Sequence, residues 1–309
     1  MEIISGIDNF PDGVLTCVTV GTFDGLHIGH QAVLKRLKET ALEKGLKSAV
    51  VTFSPHPRQV LFPEGKVCFI LSQEEKIEAF RKTGVDYLVV HPFSAGFAAL
   101  SAEEFFKELL CKKMGMKHLV KGFNNHFGRD RISKAGEIEK YGLEAGFGVT
   151  QIEKLDFIPQ YPASSTEIRR LIHEGGVEKA SEILGYDFFI TGIVVHGKHI
   201  GTSIGFPTAN IVPDETDKII PKNGVYAAFT FIDGTKYPVM LNIGNNPTVN
   251  AEVNGIFLEA HILDFSGNLY SRKLKIVLLK RIRDEKKFPS LDDLKRQLSE
   301  DKRVTAEMF

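Results

Sequence analysis

The chain predicts an α/β fold, a doubly wound parallel-sheet domain followed by a small antiparallel β-barrel and a terminal helix. Three observations carry this. Strand-like and helix-like segments alternate through the first half. Between Phe188 and Leu279 the texture changes to short β-rich runs split by Gly, Pro and Asn. The chain then closes on "FPSLDDLKRQLSED", a capped amphipathic helix.

Taking the elements in order, "VLTCVTV" (Val14 to Val20) is β-branched and apolar, as expected of a strand buried on both faces. It runs through the glycine-rich "GTFDGLHIGH" into a helix with Val33, Leu34, Leu37 and Ala41 on one face. "SAVVTFS" is a second strand, and Ser72 to Glu75 reads as a capping box before a helix through Phe80. "DYLVVHPF" is a third strand. Ser101 to Glu104 is another capping box, opening "EEFFKELLCKKMG". "HLVKGF" and "VTQIEKL" are the fourth and fifth strands, and one helical stretch spans about Ser164 to Leu184. Strands in such alternation lie parallel with right-handed crossovers, the Rossmann-like arrangement, and ligands bind at their carboxyl ends.

The β-rich half comprises "FFITGIVVHG", "GVYAAFTFIDGTKYPVMLNIG", "GIFLEAHILDF" and "LKIVLLKRI". Asp233-Gly234 is a hairpin turn. Ser290 is the expected N-cap of the last helix, with Asp292 and Asp293 in its first turn. The boundary falls near residue 186, giving domains 1–186 and 187–309. There is no internal repeat and no low-complexity segment.

Composition narrows the function classes. With 39 basic and 39 acidic residues in 309, no charge excess advertises a nucleic-acid partner. Cys17, Cys68 and Cys111 form neither a disulfide framework nor a zinc knuckle. The N-terminus has no signal-peptide pattern, and no apolar run approaches the ~18 residues of a membrane span. The expectation is a cytoplasmic protein acting on small molecules, without membrane or nucleic-acid partners; self-association stays open.

"GTFDGLHIGH" follows a buried strand and opens a helix, so free backbone N–H groups and the helix dipole favour phosphate there. Gly21, Gly25 and Gly29 let backbone approach a ligand. His27 and His30 can present imidazole donors to an α-phosphate and its bridging oxygen during nucleotidyl transfer. The tetrapeptide His-Ile-Gly-His also occurs in class I tRNA synthetases. These need a late Lys-Met-Ser-Lys-Ser loop, and the nearest approach here, "RISKAGE", lacks that pattern. "SSTEIRR" (Ser164 to Arg170) is the better partner, with hydroxyls and an arginine one turn later suited to outer phosphates. Ser164 and Glu167 also read as a capping box, and both readings can hold.

"GTFDGLHIGHQ", "FSPHPR", "KGFNNHFG" and "SSTEIRRLI", in this order, resemble the adenylyltransferase module of the bacterial bifunctional riboflavin kinase/FMN adenylyltransferase (FAD synthetase) family. The resemblance implies that Gly21, Phe23, Asp24, Gly25, His27, Gly29 and His30 contact ATP. It implies the same for Ser165, Thr166 and Arg169, with Asn124 near the flavin. The chain departs from the family at Asn125, where many members carry an aromatic, and in a longer "RDRISKAGE" stretch.

"GIVVHGKH" fits the Walker pattern except that His199 stands where Mg²⁺ needs a hydroxyl, and it lies in the β-rich half. "GIVVHGKHIGTSIGFPTANI" reads better as one unit, with Gly192, Gly197, Gly201 and Gly205 leaving backbone free to wrap an anion. Thr208 and Asn210 supply oxygen ligands suited to a hard cation. In "GIFLEAHILDF", alternation puts Glu259 on one face with Phe257, His261, Leu263 and Phe265. A carboxylate there is costly unless an edge ion pair or a task explains it. His261 reads as structural.

This half resembles the riboflavin kinase module of the same family, and "PKNGVYA", "NIGNNPTV" and "RIRDEKKFPSLDDL" extend the match. By resemblance, Thr208 and Asn210 bind Mg²⁺ and ATP phosphates, and the loop around Gly201 covers the nucleotide. Glu259 is then the base for the riboflavin 5′-hydroxyl, with Arg283 and Phe288 near the flavin. The implied enzyme phosphorylates riboflavin to FMN and adenylylates FMN to FAD. Rival readings are an adenylyltransferase for another small phosphate ester with an inactive barrel, and a non-catalytic flavin-binding regulator.

Overall fold

The computed structural model describes residues 1–65, 67–123, 125–152, 162–197, 201, 204–245 and 256–309. Asn124 and His199 lie outside the described residues. The chain divides into two compact units, Met1–Val67 with Gln73–Ala163, and Cys68–Ser72 with Ser164–Phe309.

The first unit contains β1 (Glu2–Ser5), β2 (Thr16–Val20), α1 (Ile28–Glu43), β3 (Lys47–Phe53) and α2 (Pro57–Leu61). It continues with α3 (Gln73–Arg81), β4 (Tyr87–His91), α4 (Ala95–Ala98) and α5 (Ala102–Glu104). α5 runs on into a wider π-helical stretch, Phe105–Lys113. β5 (Met116–Lys121), α6 (Ala135–Ala145) and β6 (Gly148–Gln151) complete it. The six strands form a parallel sheet in the order β1-β4-β3-β2-β5-β6. Chain order runs outward in opposite directions from β2 and β5. Their carboxyl ends therefore flank the switch point where such sheets bind ligands, and "GTFDGLHIGH" leaves from the end of β2.

The predicted apolar face of α1 is buried, with Leu37 fully so, a placement that contributes about 1.5–3 kcal/mol relative to exposure. The capping box at Ser101 forms: its hydroxyl accepts from the Glu104 N–H at 3.2 Å, and Glu104 accepts from the Ser101 N–H at 2.8 Å. β1 was absent from the sequence reading, because a four-residue strand with one buried side chain leaves no clear alternation.

The second unit holds α7 (Ser165–His173), α8 (Val177–Leu184), six strands and α9 (Leu291–Ala306). The helical stretch expected over about 164–184 is made of two helices. Gly175, at φ +85°, and Gly176 break it where a left-handed residue ends the hydrogen-bond ladder. Cys68–Ser72 joins this unit by backbone pairing. The Phe69 N–H donates to the Asp217 carbonyl at 2.7 Å, and the Ile219 N–H donates to the Phe69 carbonyl at 2.8 Å.

The strands β7 (Phe189–Val195), β8 (Ala209–Pro213), β9 (Gly224–Ile232), β10 (Thr235–Asn245), β11 (Ile256–Ile262) and β12 (Lys273–Arg283) close into an antiparallel barrel. Asp233 and Gly234, both at positive φ, make the tight β9–β10 turn that Asp-Gly predicts. The first half of "GIVVHGKH", Gly192 to Val195, lies in β7, whose neighbours are antiparallel, so the stretch does not follow a parallel strand as a Walker loop does.

Ser290 caps α9, accepting from the Asp293 N–H at 3.2 Å. The helix is tied to β12 by an ion pair with almost no exposure at Asp301. Arg283 donates to both carboxylate oxygens from Nε at 3.0 Å and again from its terminal nitrogen at 2.7 Å. Gln297 donates to the same carboxylate at 2.9 Å. Removing one partner of such a pair leaves an uncompensated buried charge, so Asp301→Ala should destabilise the second unit by about 3–5 kcal/mol. Urea titration of wild type and variant checks this; an unchanged midpoint would show that the pair contributes nothing.

Candidate functional site

In the first unit the turn after β2 is held by aromatic packing rather than by a conventional cap. His27 is the N-cap of α1, its Nδ1 accepting from the His30 N–H at 3.4 Å. The two imidazoles stack with centroids 3.7 Å apart and planes 20° from parallel. Phe23 meets the His30 ring edge-on at 5.1 Å and the Phe80 ring at 5.6 Å. Asp24 and His27 are buried beside them.

Phe23 and Leu26 take positive φ, 50° and 37°, which non-glycine residues adopt at a cost of order 1–3 kcal/mol. Gly25, at φ +84°, lies between them and adopts that conformation without a Cβ clash. A Cβ on Gly21 would meet the Phe23 ring at 3.1 Å, and one on Gly29 the His27 ring at 3.2 Å.

His30 Nδ1 is buried and has no hydrogen-bond partner among the described residues. Burial, with the neighbouring His27 adding to it, pushes the His30 pKa well below the usual imidazole range. A neutral imidazole still donates from one ring nitrogen, so His30 can stabilise charge developing on a phosphate oxygen.

Asn125 marks the switch point from the other side. Its Nδ2 donates to the Val20 carbonyl at 2.6 Å, joining the chain after β5 to the end of β2. In place of the aromatic expected there, the structure therefore has a polar tie to the strand that launches the turn.

Ser165, Thr166 and Arg169 belong to the second unit, on the first turns of α7. Ser164 caps that helix, accepting from the Glu167 N–H at 3.2 Å. Only half of the expected capping box forms, because the Glu167 carboxylate turns to Arg170, at 2.6 and 3.0 Å. Arg169 Nε donates to the Cys68 carbonyl at 2.8 Å.

The barrel carries a cavity of about 520 Å³ on the face covered by α9. Its wall is a cross-strand row set by register. Val195 of β7 stands opposite Asn210 of β8, which stands opposite Glu259 of β11. Glu259 faces Asn242 of β10, Asn242 faces Val225 of β9, and Val225 faces Arg283 of β12. All six line the cavity, as do Gly197, Gly201, Thr208, His261 and Phe288.

Gly205, at φ +87°, forms the turn before "FPTAN" and is not in the wall. Gly197 is there for space, because a Cβ would lie 1.9 Å from Asn210 Nδ2. His261 holds the same turn, its Nδ1 2.8 Å from the Pro207 carbonyl oxygen. Arg283 is fixed by Asp301, and its guanidinium lies 5.8 Å from the Phe288 ring centroid.

Glu259 makes no ion pair or hydrogen bond among the described residues, which removes the edge salt bridge as its explanation. Burial raises its pKa above the usual carboxylate value. Asn242 was missed at the sequence level, although its signal is the same as that of Glu259: a polar residue within an apolar strand, "VMLNIG".

These arrangements are joined by sequence relationships over the full chain. The FAD synthetase family model matches residues 12–167 and the riboflavin kinase family model residues 184–309. The bifunctional riboflavin kinase/FMN adenylyltransferase of Pseudomonas fluorescens is 35% identical, covering 97% of this chain and 96% of its own. That of Listeria monocytogenes is 38% identical, covering 94% and 92%. The chain belongs to the bifunctional riboflavin kinase/FMN adenylyltransferase family.

A crystal structure from Streptococcus pneumoniae, named a macrolide-efflux protein, superposes with TM-score 0.91 at 32% identity over 99% of both chains. In the present family member, no helix among the described residues is long and apolar enough to cross a membrane.

Two outcomes follow from this geometry. Gly197→Ala should displace the Asn210 amide and lower riboflavin phosphorylation while FMN adenylylation persists; equal rates of phosphorylation would show that Asn210 tolerates the methyl group. His30, with a folded pKa below its unfolded value near 6.5, binds its proton more readily when unfolded. Its stabilising contribution is thus present above about pH 6.5 and lost as pH falls toward the folded value. His30→Asn should lose less stability than wild type between pH 7 and 5, measured as urea midpoints for the first unit.

Proposed function

We propose that the chain is a bifunctional FAD-forming enzyme. Residues 187–309 phosphorylate riboflavin and residues 1–186 adenylylate the resulting FMN, in the cytoplasm. The observation that carries the kinase reading is the row Asn210–Glu259–Asn242 on one cavity wall, with a half-buried carboxylate that has no protein partner among the described residues.

Glu259 accepts the proton of the riboflavin 5′-hydroxyl as that oxygen attacks the γ-phosphorus of ATP, and ADP leaves. Arg283 and Phe288 hold the flavin end of the substrate. Thr208 Oγ and Asn210 Oδ are hard oxygen donors with no hydrogen bonds among the described residues, a donor set that fits Mg²⁺ completed by phosphate and water. When bound, Mg²⁺ supplies charge neutralisation of the transferring phosphoryl group.

In the adenylyl step a phosphate oxygen of FMN attacks the α-phosphorus of a second ATP, and pyrophosphate leaves. His27 and His30 donate to the oxygens on which charge accumulates, and the N-terminus of α1 adds its dipole. Phe23, Asp24 and the glycines of the turn shape the ATP site. The roles of Ser165, Thr166 and Arg169 toward ATP, and of Asn124 toward the flavin, rest on the resemblance of their motifs.

Incubation with riboflavin, ATP and Mg²⁺, followed by separation of the flavins, tests both steps. Glu259→Gln should lower FMN formation by about 10²–10⁴-fold and leave FMN-to-FAD conversion intact; loss of both would argue against separate sites. His30→Ala should do the reverse, with FMN accumulating and adenylylation slowed by about 10²-fold or more. Because burial raises the Glu259 pKa, its base form is lost as pH falls through a value above 4.5. Phosphorylation by wild type should show that acid limb, which kcat/KM for riboflavin against pH will reveal.

A further inference from the structure

The cross-strand row on the cavity wall carries one polar side chain that neither step above uses. Asn242 is half-buried and lines the cavity. Its amide forms no hydrogen bond among the described residues. A partly desolvated amide left without partners is unfavourable, and its neighbours in the row do not relieve it. Val225 on one side is apolar. Glu259 on the other side stands directly opposite in the β10–β11 pair, yet no hydrogen bond joins the two.

Position in the row indicates what the amide meets. On the kinase reading, on which this inference rests, Asn210 marks the phosphate end and Arg283 the flavin end. Glu259 marks the reacting hydroxyl between them. Asn242 lies one strand beyond Glu259 toward Arg283, a spacing of about 4.8 Å. What runs from the 5′-hydroxyl toward the isoalloxazine ring is the ribityl chain, which bears secondary hydroxyls on the carbons next to the reacting one. An asparagine amide both donates and accepts, which suits hydroxyls that do the same.

We infer that Asn242 is a substrate-contacting specificity residue. Its amide holds a secondary ribityl hydroxyl, sets the 5′-hydroxyl against Glu259, and selects a polyol side chain over a plain ω-hydroxyalkyl chain. A site built to pair a substrate hydroxyl discriminates against an analogue lacking it, because its own polar group is then left unpaired.

The test uses the full-length enzyme with two substrates, riboflavin and the 10-(5-hydroxypentyl) flavin, which keeps the terminal hydroxyl and lacks the secondary ones. Asn242→Ala should lower kcat/KM for riboflavin by about 10- to 100-fold and leave the rate on the hydroxypentyl flavin nearly unchanged, collapsing the wild-type preference. Asn242→Ser, which restores a hydroxyl donor and acceptor, should recover part of the loss on riboflavin alone. Thermal unfolding of each variant checks that the barrel is intact, and the serine variant carries the comparison if alanine unfolds it. Unchanged activity of Asn242→Ala on riboflavin would overturn the inference. So would an equal loss on both substrates, which would place the effect on Glu259 or on the fold. If wild type forms no FMN, the kinase reading fails and this inference with it. If wild type forms FMN with no preference between the flavins, the inference alone fails.

Discussion

A strand's side chains alternate faces with a period of two, so a one-residue slip between β11 and its neighbours would carry Glu259 from the cavity wall into the apolar interior of the barrel. The proposed kinase chemistry depends on that register. Ala260 and Ile262, which alternate with Glu259 along β11, are buried, and burying them is what pins Glu259, Asn210 and Asn242 to the other face. The polar wall is thus held by the apolar one. Only closure of the barrel brings Arg283 of β12 into the same row, and the Asp301 carboxylate of α9 then orients its guanidinium.

The first unit meets a comparable constraint by other means. A turn with non-glycine residues at positive φ needs neighbours that over-determine it. Here the stacked pair His27 and His30 and the ring of Phe23 supply that packing. The same surroundings bury His30 Nδ1 and push its pKa down, which favours the neutral ring. Packing that stabilises the turn therefore also sets the protonation state of the group assigned to catalysis.

Much of both sites was legible from residue order. Buried parallel strands announce themselves as apolar, β-branched runs such as "VLTCVTV", and the glycine-rich turn after one of them marked the candidate nucleotide site. Glu259 stood out as a charge on an apolar strand face, and it is found on a cavity wall with a raised pKa. Asn242 offered a weaker form of that signal, since an amide costs less to bury than a carboxylate and attracts less notice. The helix break at Gly175 was hidden by the amphipathic residues on either side of it. The docking of Cys68–Ser72 onto 217–219 was hidden because nonlocal backbone pairing leaves no periodicity in either segment.

By itself the sequence determined the fold class, the place of the glycine-rich turn after β2 and the Asp233-Gly234 hairpin. These follow from local rules of periodicity, turn stereochemistry and capping that act over a few neighbours. The tertiary structure alone decided that Glu259 lacks an ion-pair partner among the described residues and that Asn125 ties two strand ends together. It alone decided that Gly197 must be small for Asn210, and that Asp301 holds Arg283. Each of these joins residues that are distant in the chain, and such contacts arise only once strand register and helix docking have closed the intervening loops.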